Sequence, residues 1–252
     1  MPARFAANLD WLYTEHAYPD RADAACADGF GAVELQQPHL HDIEALAVRL
    51  SELSVVLINA PAGDWAAGER GYAALPGQET RFRDTTLRGL ELAARLGSPR
   101  LHLLSGLIDD NEATRATWLA NLGWAAEQAS NITLTVEPIN RRDMPGYFLH
   151  RQAQALELLA ALASPRVQLQ LDLYHCRVAE GESLSHLQRA LHRGVLGHVQ
   201  VAGMNGRQEP EAHEYAAELA LLDDRGWVGA VGLEYRPTGG TSAGLAWCLT
   251  TL

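Results

Sequence analysis

Short apolar or alternating runs recur along the whole chain and predict eight β-strands. They lie at residues 4–9, 32–36, 55–60, 100–106, 133–139, 167–175, 197–202 and 230–237. Segments with helical spacing of apolar residues and few β-branched residues separate them, for example at 42–53, 82–97, 117–129 and 150–163. Strands that alternate with helices favour a parallel sheet, and eight such units favour its closure. The pattern therefore predicts an α/β fold, a (β/α)₈ TIM barrel.

Turn-forming residues support these element boundaries. Gly29 precedes the second strand, Gly97 ends the helix before the fourth, and Ser164-Pro165 ends the helix before the sixth. No Pro/Gly/Ser-rich linker or block of charge divides the chain, so we predict a single domain over residues 1–252. This length matches the roughly 250 residues that are typical of one such barrel.

Four successive strands in the second half of the chain each carry a polar residue near the carboxyl end. The four residues are Glu137, Asp172, Gln200 and Glu234. Side chains alternate between two faces along a strand, and here one face is apolar while the other is polar or glycine. The companions on the polar faces are Thr133, Thr135, Gln168, Gln170, His198 and Gly232. The apolar faces can pack against outer helices, so the polar faces should point into the barrel.

This convergence predicts a metal site. A buried polar face needs hydrogen-bond partners or a ligand, and active sites of such barrels lie at the carboxyl ends of the strands. Crowded carboxylates repel one another, and a divalent cation compensates for that repulsion. Oxygen donors without cysteine favour Mg²⁺ or Mn²⁺ and leave Zn²⁺ open. A single strand-end glutamate is more often a surface carboxylate, but the coincidence on four adjacent strands favours a shared site.

Composition limits the partners and the compartment. The formal net charge of −11 disfavours nucleic acid and anionic membrane surfaces as partners. The three cysteines, Cys26, Cys176 and Cys248, are far apart and form neither a disulfide framework nor a CxxC pattern, which favours a reduced, cytoplasmic setting. We find no signal-peptide pattern at the N-terminus and no apolar run approaching the roughly 20 residues of a membrane helix.

Five segments carry a resemblance to a known family. They are APAGDWAAGERG at 60–71, VEPIN at 136–140, QLDLYH at 170–175, GHVQVA at 197–202 and GLEYRP at 232–237. Together they resemble the hydroxypyruvate isomerase family of the xylose-isomerase-like barrels, which also include sugar epimerases and 2-oxo-tetronate isomerases. The resemblance covers nearly the whole chain in order, and its most specific segment is GDWAAGERG.

The resemblance implies a divalent metal held by Glu137, Asp172, Gln200 and Glu234, with the two glutamates as the proton-transfer pair. It also implies an intramolecular oxidoreductase that interconverts hydroxypyruvate and 2-hydroxy-3-oxopropanoate (tartronate semialdehyde). The chemistry agrees with the residue types, because moving a carbonyl to the next carbon removes one proton and delivers another through an enediolate. A carboxylate on each side of the substrate can act as base and acid in turn, and a metal can stabilise the charge.

Four further residues are candidates for binding a small hydroxy or oxo acid or a sugar. Arg70 lies in the long connection 61–77 and could form a forked pair with a substrate carboxylate, although it could equally be a surface arginine. His175 could bind the substrate, orient a ligand or cap its own loop. His102 is either an inward-facing site residue or a satisfied core histidine. Glu69 is either a substrate contact or a loop carboxylate paired with a neighbour.

The segment after Gln200 departs from the family pattern and leaves the substrate open. Gly203 stands where the family has Asp, and Gln208 stands where it has His. Alternatives are a 2-oxo-tetronate isomerase, a sugar isomerase or epimerase, and a barrel that binds metal without catalysis. A further alternative is an endonuclease-IV-like metal hydrolase, which needs several His and Asp ligands and a basic DNA surface and is disfavoured by the net charge of −11 and the single carboxylate-rich site. Related barrels often pair, so a homo-oligomer also stays open.

Overall fold

Eight parallel strands close into a barrel in the computed structural model, which describes residues 4–249. Each strand pairs with its neighbours in chain order, and β1 pairs with β8. The strands are β1 Phe5–Asn8, β2 Ala32–Leu35, β3 Ser54–Asn59, β4 Arg100–His102, β5 Thr133–Val136, β6 Val167–Asp172, β7 Leu196–Val201 and β8 Val231–Leu233. The predicted (β/α)₈ barrel is therefore confirmed. Residues 1–3 and 250–252 of the predicted domain lie outside the described residues.

Helices cover the outside of the barrel between the strands. They are α1 Arg21–Ala27, α2 Ile43–Arg49, α3 Glu79–Leu96, α4 Glu112–Gln128, α5 Gln152–Leu162, α6 Leu173–Glu180, α7 Leu184–His192, α8 Ala216–Asp224 and α9 Ala246–Leu249. Short 3₁₀ turns lie at Tyr18–Asp20, Pro38–Leu40 and Thr241–Leu245. Across residues 4–249, no helix combines the length and the apolar character that crossing a membrane requires.

Local sequence explains where several helices begin and end. The Asp42 carboxylate accepts hydrogen bonds from two backbone N–H groups at the start of α2, and Asn111 forms a reciprocal capping box with Thr114 at the start of α4. Gly97 adopts a left-handed conformation with φ of 67° directly after α3, as predicted. Helix α5 stops at Leu162, directly ahead of the predicted Ser164-Pro165 boundary.

The predicted division of strand faces is present in the second half of the barrel. Leu134, Leu169, Val199 and Leu233 point toward the helices and are fully buried in the apolar core. The opposite face is also buried but polar, and it includes Thr135, Gln170, His198 and Gln200. In register, Asp172 pairs with Gln200, and Gln200 pairs with Gly232. These pairings bring the carboxyl ends of β6, β7 and β8 together.

The long connection between β3 and α3 folds back onto the barrel. Gly71 forms an isolated bridge with Ser105, and its φ of 88° suits glycine. A Cβ atom at this position would lie 2.2 Å from the carbonyl oxygen of Leu104, so only glycine permits this approach. The connection therefore packs beside the carboxyl end of β4.

Candidate active site

A cavity of about 970 Å³ opens at the carboxyl ends of the strands. Residues at several strand ends line its barrel end, and two of them, Glu137 and Glu234, directly follow β5 and β8. Other lining residues include Asn59, His102, His175 and Arg207. Convergence of several strand ends on one cavity is the usual construction of a barrel active site.

Three carboxylates predicted from the sequence meet here. Glu137, Asp172 and Glu234 are all buried. Oxygen atoms of Glu137 and Asp172 and a ring nitrogen of His175 lie within 4.8 Å of one another, close enough to share one cation. The buried Oε1 of Glu137 has no hydrogen-bond partner among the described residues. Such an orphaned oxygen is costly unless a cation or a substrate satisfies it.

The two oxygens of Asp172 have different roles. Oδ1 accepts hydrogen bonds from the backbone N–H of Tyr174 at 2.8 Å and of His175 at 3.3 Å, so Asp172 caps the N-terminus of α6. Oδ2 points to the site and lies 3.8 Å from His175 Nε2. The helix cap thereby fixes the direction of the remaining oxygen.

Arg207 is a site residue that the sequence did not predict. Its guanidinium lies between two of the carboxylates: Nη2 is 3.3 Å from Asp172 Oδ2 and also donates to Glu234 Oε1. The backbone at Arg207 has a φ of 61°, which is uncommon for a residue other than glycine. Arg207 belongs to the segment after Gln200 that departs from the family pattern, and no periodicity there indicated an inward side chain.

Gln200 meets the carboxylates through its amide nitrogen. Nε2 donates to Glu234 Oε2 at 2.6 Å and to Glu34 Oε2 at 2.8 Å, while Oε1 accepts from Gln170 Nε2 at 2.7 Å. The same Gln170 nitrogen lies 3.3 Å from Glu137 Oε2. Gln200 therefore lies at the cluster, but its carbonyl oxygen, the atom that could ligate a metal, faces Gln170.

Burial governs the protonation of this cluster. Loss of solvation raises the pKa of Glu137 well above its usual value, and the neighbouring charges of Glu234 and Asp172 raise it further. Burial likewise raises the pKa of Glu234 to about 8 and raises that of Asp172, with Arg207 opposing both shifts. The carboxylates in turn overcome burial and raise the pKa of Arg207. Burial thus disfavours the ionised form of these carboxylates, and a bound cation would offset that penalty.

The two predicted histidines both line the cavity. Burial lowers the pKa of His102 to about 3, with a contribution from His198, and lowers that of His175 well below its usual value. His102 Nδ1 contacts the Asn59 side chain at 3.2 Å, while its buried Nε2 has no hydrogen-bond partner in the described structure and lies 3.7 Å from Glu137 Oε2. His102 is thus a neutral inward-facing group with a free nitrogen at the cavity.

Arg70 and Glu69 are adjacent in sequence, but their side chains have different surroundings. Arg70 lines the cavity, with its guanidinium 3.8 Å from the ring centre of Trp65. Glu69 is not among the cavity-lining residues, because its carboxylate is engaged with Arg81 and with the Tyr72 hydroxyl at 2.8 Å. Glu69 therefore matches the alternative of a paired loop carboxylate, and the structure does not bring it to the predicted substrate.

The donor set fits a divalent cation. Buried carboxylate oxygens, an unpartnered one among them, and a neutral imidazole are ligands that Mg²⁺, Mn²⁺ and Zn²⁺ accept. Cysteine does not contribute, since Cys176 and Cys248 are buried elsewhere and Cys26 lies in α1. The residues present therefore agree with the metal expected from the sequence.

Comparisons with known proteins place this geometry in context. A family model described as xylose isomerase-like TIM barrel matches residues 22–251. The 2-oxo-tetronate isomerase of Cupriavidus necator is 46% identical over 97% of this chain and 96% of that protein. The hydroxypyruvate isomerase of Escherichia coli is 36% identical over 97% of each chain.

Solved structures are similar over nearly the full length. A crystal structure described as an AP endonuclease of family 2 from Brucella melitensis has a TM-score of 0.93 and 39% identity, covering 98% of each chain. The 3-keto-D-glucoside 4-epimerase of E. coli has a TM-score of 0.78 at 19% identity, covering 98% of this chain and 99% of that one. The latter similarity shows the shared fold alone.

Proposed function

This chain belongs to the xylose isomerase-like TIM barrel family, and we propose that it isomerises a short hydroxy-oxo acid by proton transfer between Glu137 and Glu234. The curated relatives described above are isomerases, so the chain is an enzyme of the isomerase class. The observation that carries the proposal is the pair of buried glutamates, both of which line the cavity beside an uncommitted oxygen, Glu137 Oε1.

The two glutamates suit the transfer of a proton between adjacent carbons. One carboxylate removes the proton from the carbon that carries a hydroxyl, and an acid returns a proton to the neighbouring carbon. Burial raises the pKa of both carboxylates, so each of them, once ionised, is a stronger base than a free glutamate.

We assign the metal to the same cluster. Glu137, Asp172, Gln200 and Glu234 are the proposed ligands, with His175 beside them. When bound, a divalent cation such as Mg²⁺ or Mn²⁺ would supply Lewis acidity to the carbonyl and hydroxyl oxygens of the substrate. Gln200 would serve as a ligand only with its oxygen turned toward the cluster.

The cavity walls can hold the acid group of the substrate. Arg70 lines the cavity together with Arg142, Arg207 and Arg236. A substrate carboxylate is attracted to this rim of guanidinium groups and repelled by the carboxylates of the floor, which orients a hydroxy-oxo acid with its reacting carbons toward Glu137. We propose Arg70 as the principal anchor, His102 as a donor to a substrate oxygen and His175 as a further residue beside the substrate.

Two acids are candidates for the substrate. Hydroxypyruvate, which would give 2-hydroxy-3-oxopropanoate, follows from the family motifs in the chain. A 2-oxo-tetronate is favoured by the 46% identity to a 2-oxo-tetronate isomerase and by a cavity of about 970 Å³, which has room for a longer acid. The same pair of glutamates would serve either reaction.

A DNA-cleaving role has less support, although one similar structure is described as an AP endonuclease. Within residues 4–249, one group of three or more metal-binding side chains is found, and it is the cluster at Glu137. The net charge of −11 also opposes binding to a phosphate backbone.

The deciding experiment is a substrate panel with metal-stripped and metal-loaded protein. Protein supplied with Mg²⁺ or Mn²⁺ should isomerise hydroxypyruvate or a 2-oxo-tetronate, with the product identified by NMR, and stripped protein should be inactive. Ketoses and abasic DNA serve as comparison substrates. Nicking of abasic DNA without isomerisation of any acid would contradict the proposal.

A further inference from the structure

A buried pair, Glu34 of β2 and His198 of β7, lies beside the candidate site but plays no part in the reaction proposed above. The Nε2–H of His198 donates a hydrogen bond to Glu34 Oε1. Both side chains are buried, and neither is among the residues that line the cavity. A charged group in a barrel interior destabilises the fold unless it is well paired, so its presence at this position calls for a reason.

Glu34 is connected to Glu234 through two shared amide donors. Gln200 Nε2 donates to Glu34 Oε2 at 2.8 Å and to Glu234 Oε2 at 2.6 Å. Asn8 Nδ2 likewise lies 3.2 Å from Glu34 Oε2 and 3.4 Å from Glu234 Oε2. Oε2 of Glu234, the oxygen that does not contact Arg207, therefore accepts from two amide groups. Each of these amide groups also donates to Glu34.

The surrounding groups fix which way the Gln200 amide points. Its nitrogen faces two carboxylates, which in their ionised form only accept hydrogen bonds, and its oxygen faces the Gln170 nitrogen, which only donates. Gln170 is fixed in turn, because its oxygen accepts from Thr135 Oγ1 at 2.9 Å and its nitrogen reaches Glu137. As long as no cation neutralises the carboxylates, rotating either amide by half a turn would set like groups against each other.

Strand β8 provides space for the Glu34 carboxylate. A Cβ atom on Gly232 would lie 1.8 Å from Glu34 Oε1, so no other residue fits there without displacing the carboxylate. Gly232 is two positions before Glu234 and shares its face of the strand. This steric observation is independent of the hydrogen bonds and indicates that the backbone accommodates Glu34 at this location.

We propose that Glu34, held by His198, is a positioning residue for the proton-transfer site. It orients the Gln200 and Asn8 amides, and these hold one oxygen of Glu234 so that the other faces the cavity. This inference rests on the proposed function insofar as Glu234 is the reacting group. It assigns Glu34 no contact with the substrate, so the loss of Glu34 should lower the rate of the chemical step more than substrate binding.

The test compares Glu34→Gln with Glu218→Gln. Glu218 is the matched control because it is also a buried carboxylate, bonded to Ser183 and Arg177 on the outside of the barrel. We expect E34Q to lower kcat and Mn²⁺ affinity by about 10- to 100-fold with little change in KM, because the amides that hold Glu234, a proposed ligand, lose their shared partner. E218Q should lower the melting temperature alone.

Variants at His198 give a second measurement that does not require E34Q to fold. H198Q keeps an N–H donor that can reach Glu34, whereas H198L does not, and His198 forms no hydrogen bond with Gln200 or Glu234 in the described structure. We expect H198Q to retain more of kcat and Mn²⁺ affinity than H198L. Equal activity of the two variants would overturn the proposal, as would wild-type kcat and Mn²⁺ affinity in E34Q.

The metal titration separates this inference from the proposed function. If wild-type protein isomerises neither acid, the proposed function fails, but Mn²⁺ calorimetry on wild type, E34Q and E218Q still decides whether Glu34 organises the cluster. Weaker binding in E34Q alone supports the inference. The same affinity in all three proteins would reduce the role of Glu34 to stability.

Discussion

Arg207 Nη2 lies 3.3 Å from Asp172 Oδ2, so a loop arginine supplies positive charge at the centre of the candidate metal cluster. The same nitrogen contacts Glu234. A divalent cation would be attracted to these same carboxylates and would be repelled by the guanidinium of Arg207. Arg207 and the metal are therefore expected to influence each other's position and affinity.

Replacing Arg207 with Met should separate these effects. The variant keeps the bulk of the side chain but leaves buried carboxylates without a counter-charge, so the metal-free protein should lose about 3–5 kcal/mol of stability. It should also bind Mn²⁺ about tenfold more tightly, because the repulsion of a neighbouring cation is gone. Thermal unfolding with chelator and Mn²⁺ calorimetry measure the two quantities.

Arg236 provides the control for this prediction. It lines the same cavity and lies over the same Trp11 ring as Arg207, but no carboxylate contact is found for it in the described part of the chain. Arg236→Met should leave both stability and Mn²⁺ affinity nearly unchanged. Weaker Mn²⁺ binding in R207M than in wild type would show that Arg207 supports the metal site and does not compete with it.

Removing either proton-transfer carboxylate should abolish most turnover. Glu137→Gln and Glu234→Gln preserve the shape of the side chain but not its basicity, and positioned acids and bases contribute about 10²- to 10⁴-fold to rate. Loss of kcat, together with loss of substrate-proton exchange with solvent by NMR, is the expected result. Unchanged turnover in both single variants would contradict the assignment, and E218Q controls for the loss of a buried carboxylate.

Gly232→Ala tests the space reserved for Glu34. The new Cβ would overlap Glu34 Oε1, so either the carboxylate or β8 must move, at a cost of about 1–3 kcal/mol in stability. We expect kcat to fall together with the stability. Gly31→Ala is the control, because a Cβ at Gly31 would meet no atom within 4 Å. Equal melting temperatures and rates for the two variants would contradict the prediction.

Glu69 should stabilise the long connection in a pH-dependent manner. Hydrogen bonds from Arg81, from the backbone of Asp64 and from Tyr72 lower the pKa of Glu69 from 4.5 to about 2. Because the folded pKa is the lower one, the ionised carboxylate stabilises the folded connection above about pH 4.5, and this contribution is lost as the pH falls toward 2.

Hydrogen exchange of residues 61–77 can detect this effect. Exchange in Glu69→Gln should exceed that of wild type at neutral pH, and the difference should shrink as the pH is lowered through the same range. Catalytic activity at saturating substrate should change little, since Glu69 does not line the cavity. A large rise in KM would instead restore Glu69 as a substrate contact.

The sequence predicted the barrel and the convergence of the carboxylates because both depend on periodicity. Alternation along β6 fixed the inward face of Asp172, and the parallel order of the strands brought Glu137 and Glu234 to the same end. The orientation of the Gln200 amide could not be predicted, because it depends on which groups of other strands face it.

Two site residues escaped prediction for physical reasons. Glu34 lies in the short strand AVEL, where a single inward carboxylate has no distinguishing pattern until its partners on β1 and β7 are known. Arg207 reaches the cluster from a loop with a positive φ, a conformation that residue type does not indicate. Glu69, in contrast, was a candidate from the sequence that does not reach the cavity. Its neighbour Arg70 lines the cavity, while the carboxylate of Glu69 pairs with Arg81.

Asp172 divides its oxygens between a helix cap and the candidate metal cluster, and this division couples folding to chemistry in a single side chain. A variant at this position would disturb the start of α6 and the cation site together, so its lost activity could not be apportioned without a parallel measure of helix integrity. Adaptation toward a new substrate is correspondingly constrained here. Changes in specificity are expected to arise in the loops around the cavity, such as the connection 61–77 that carries Arg70.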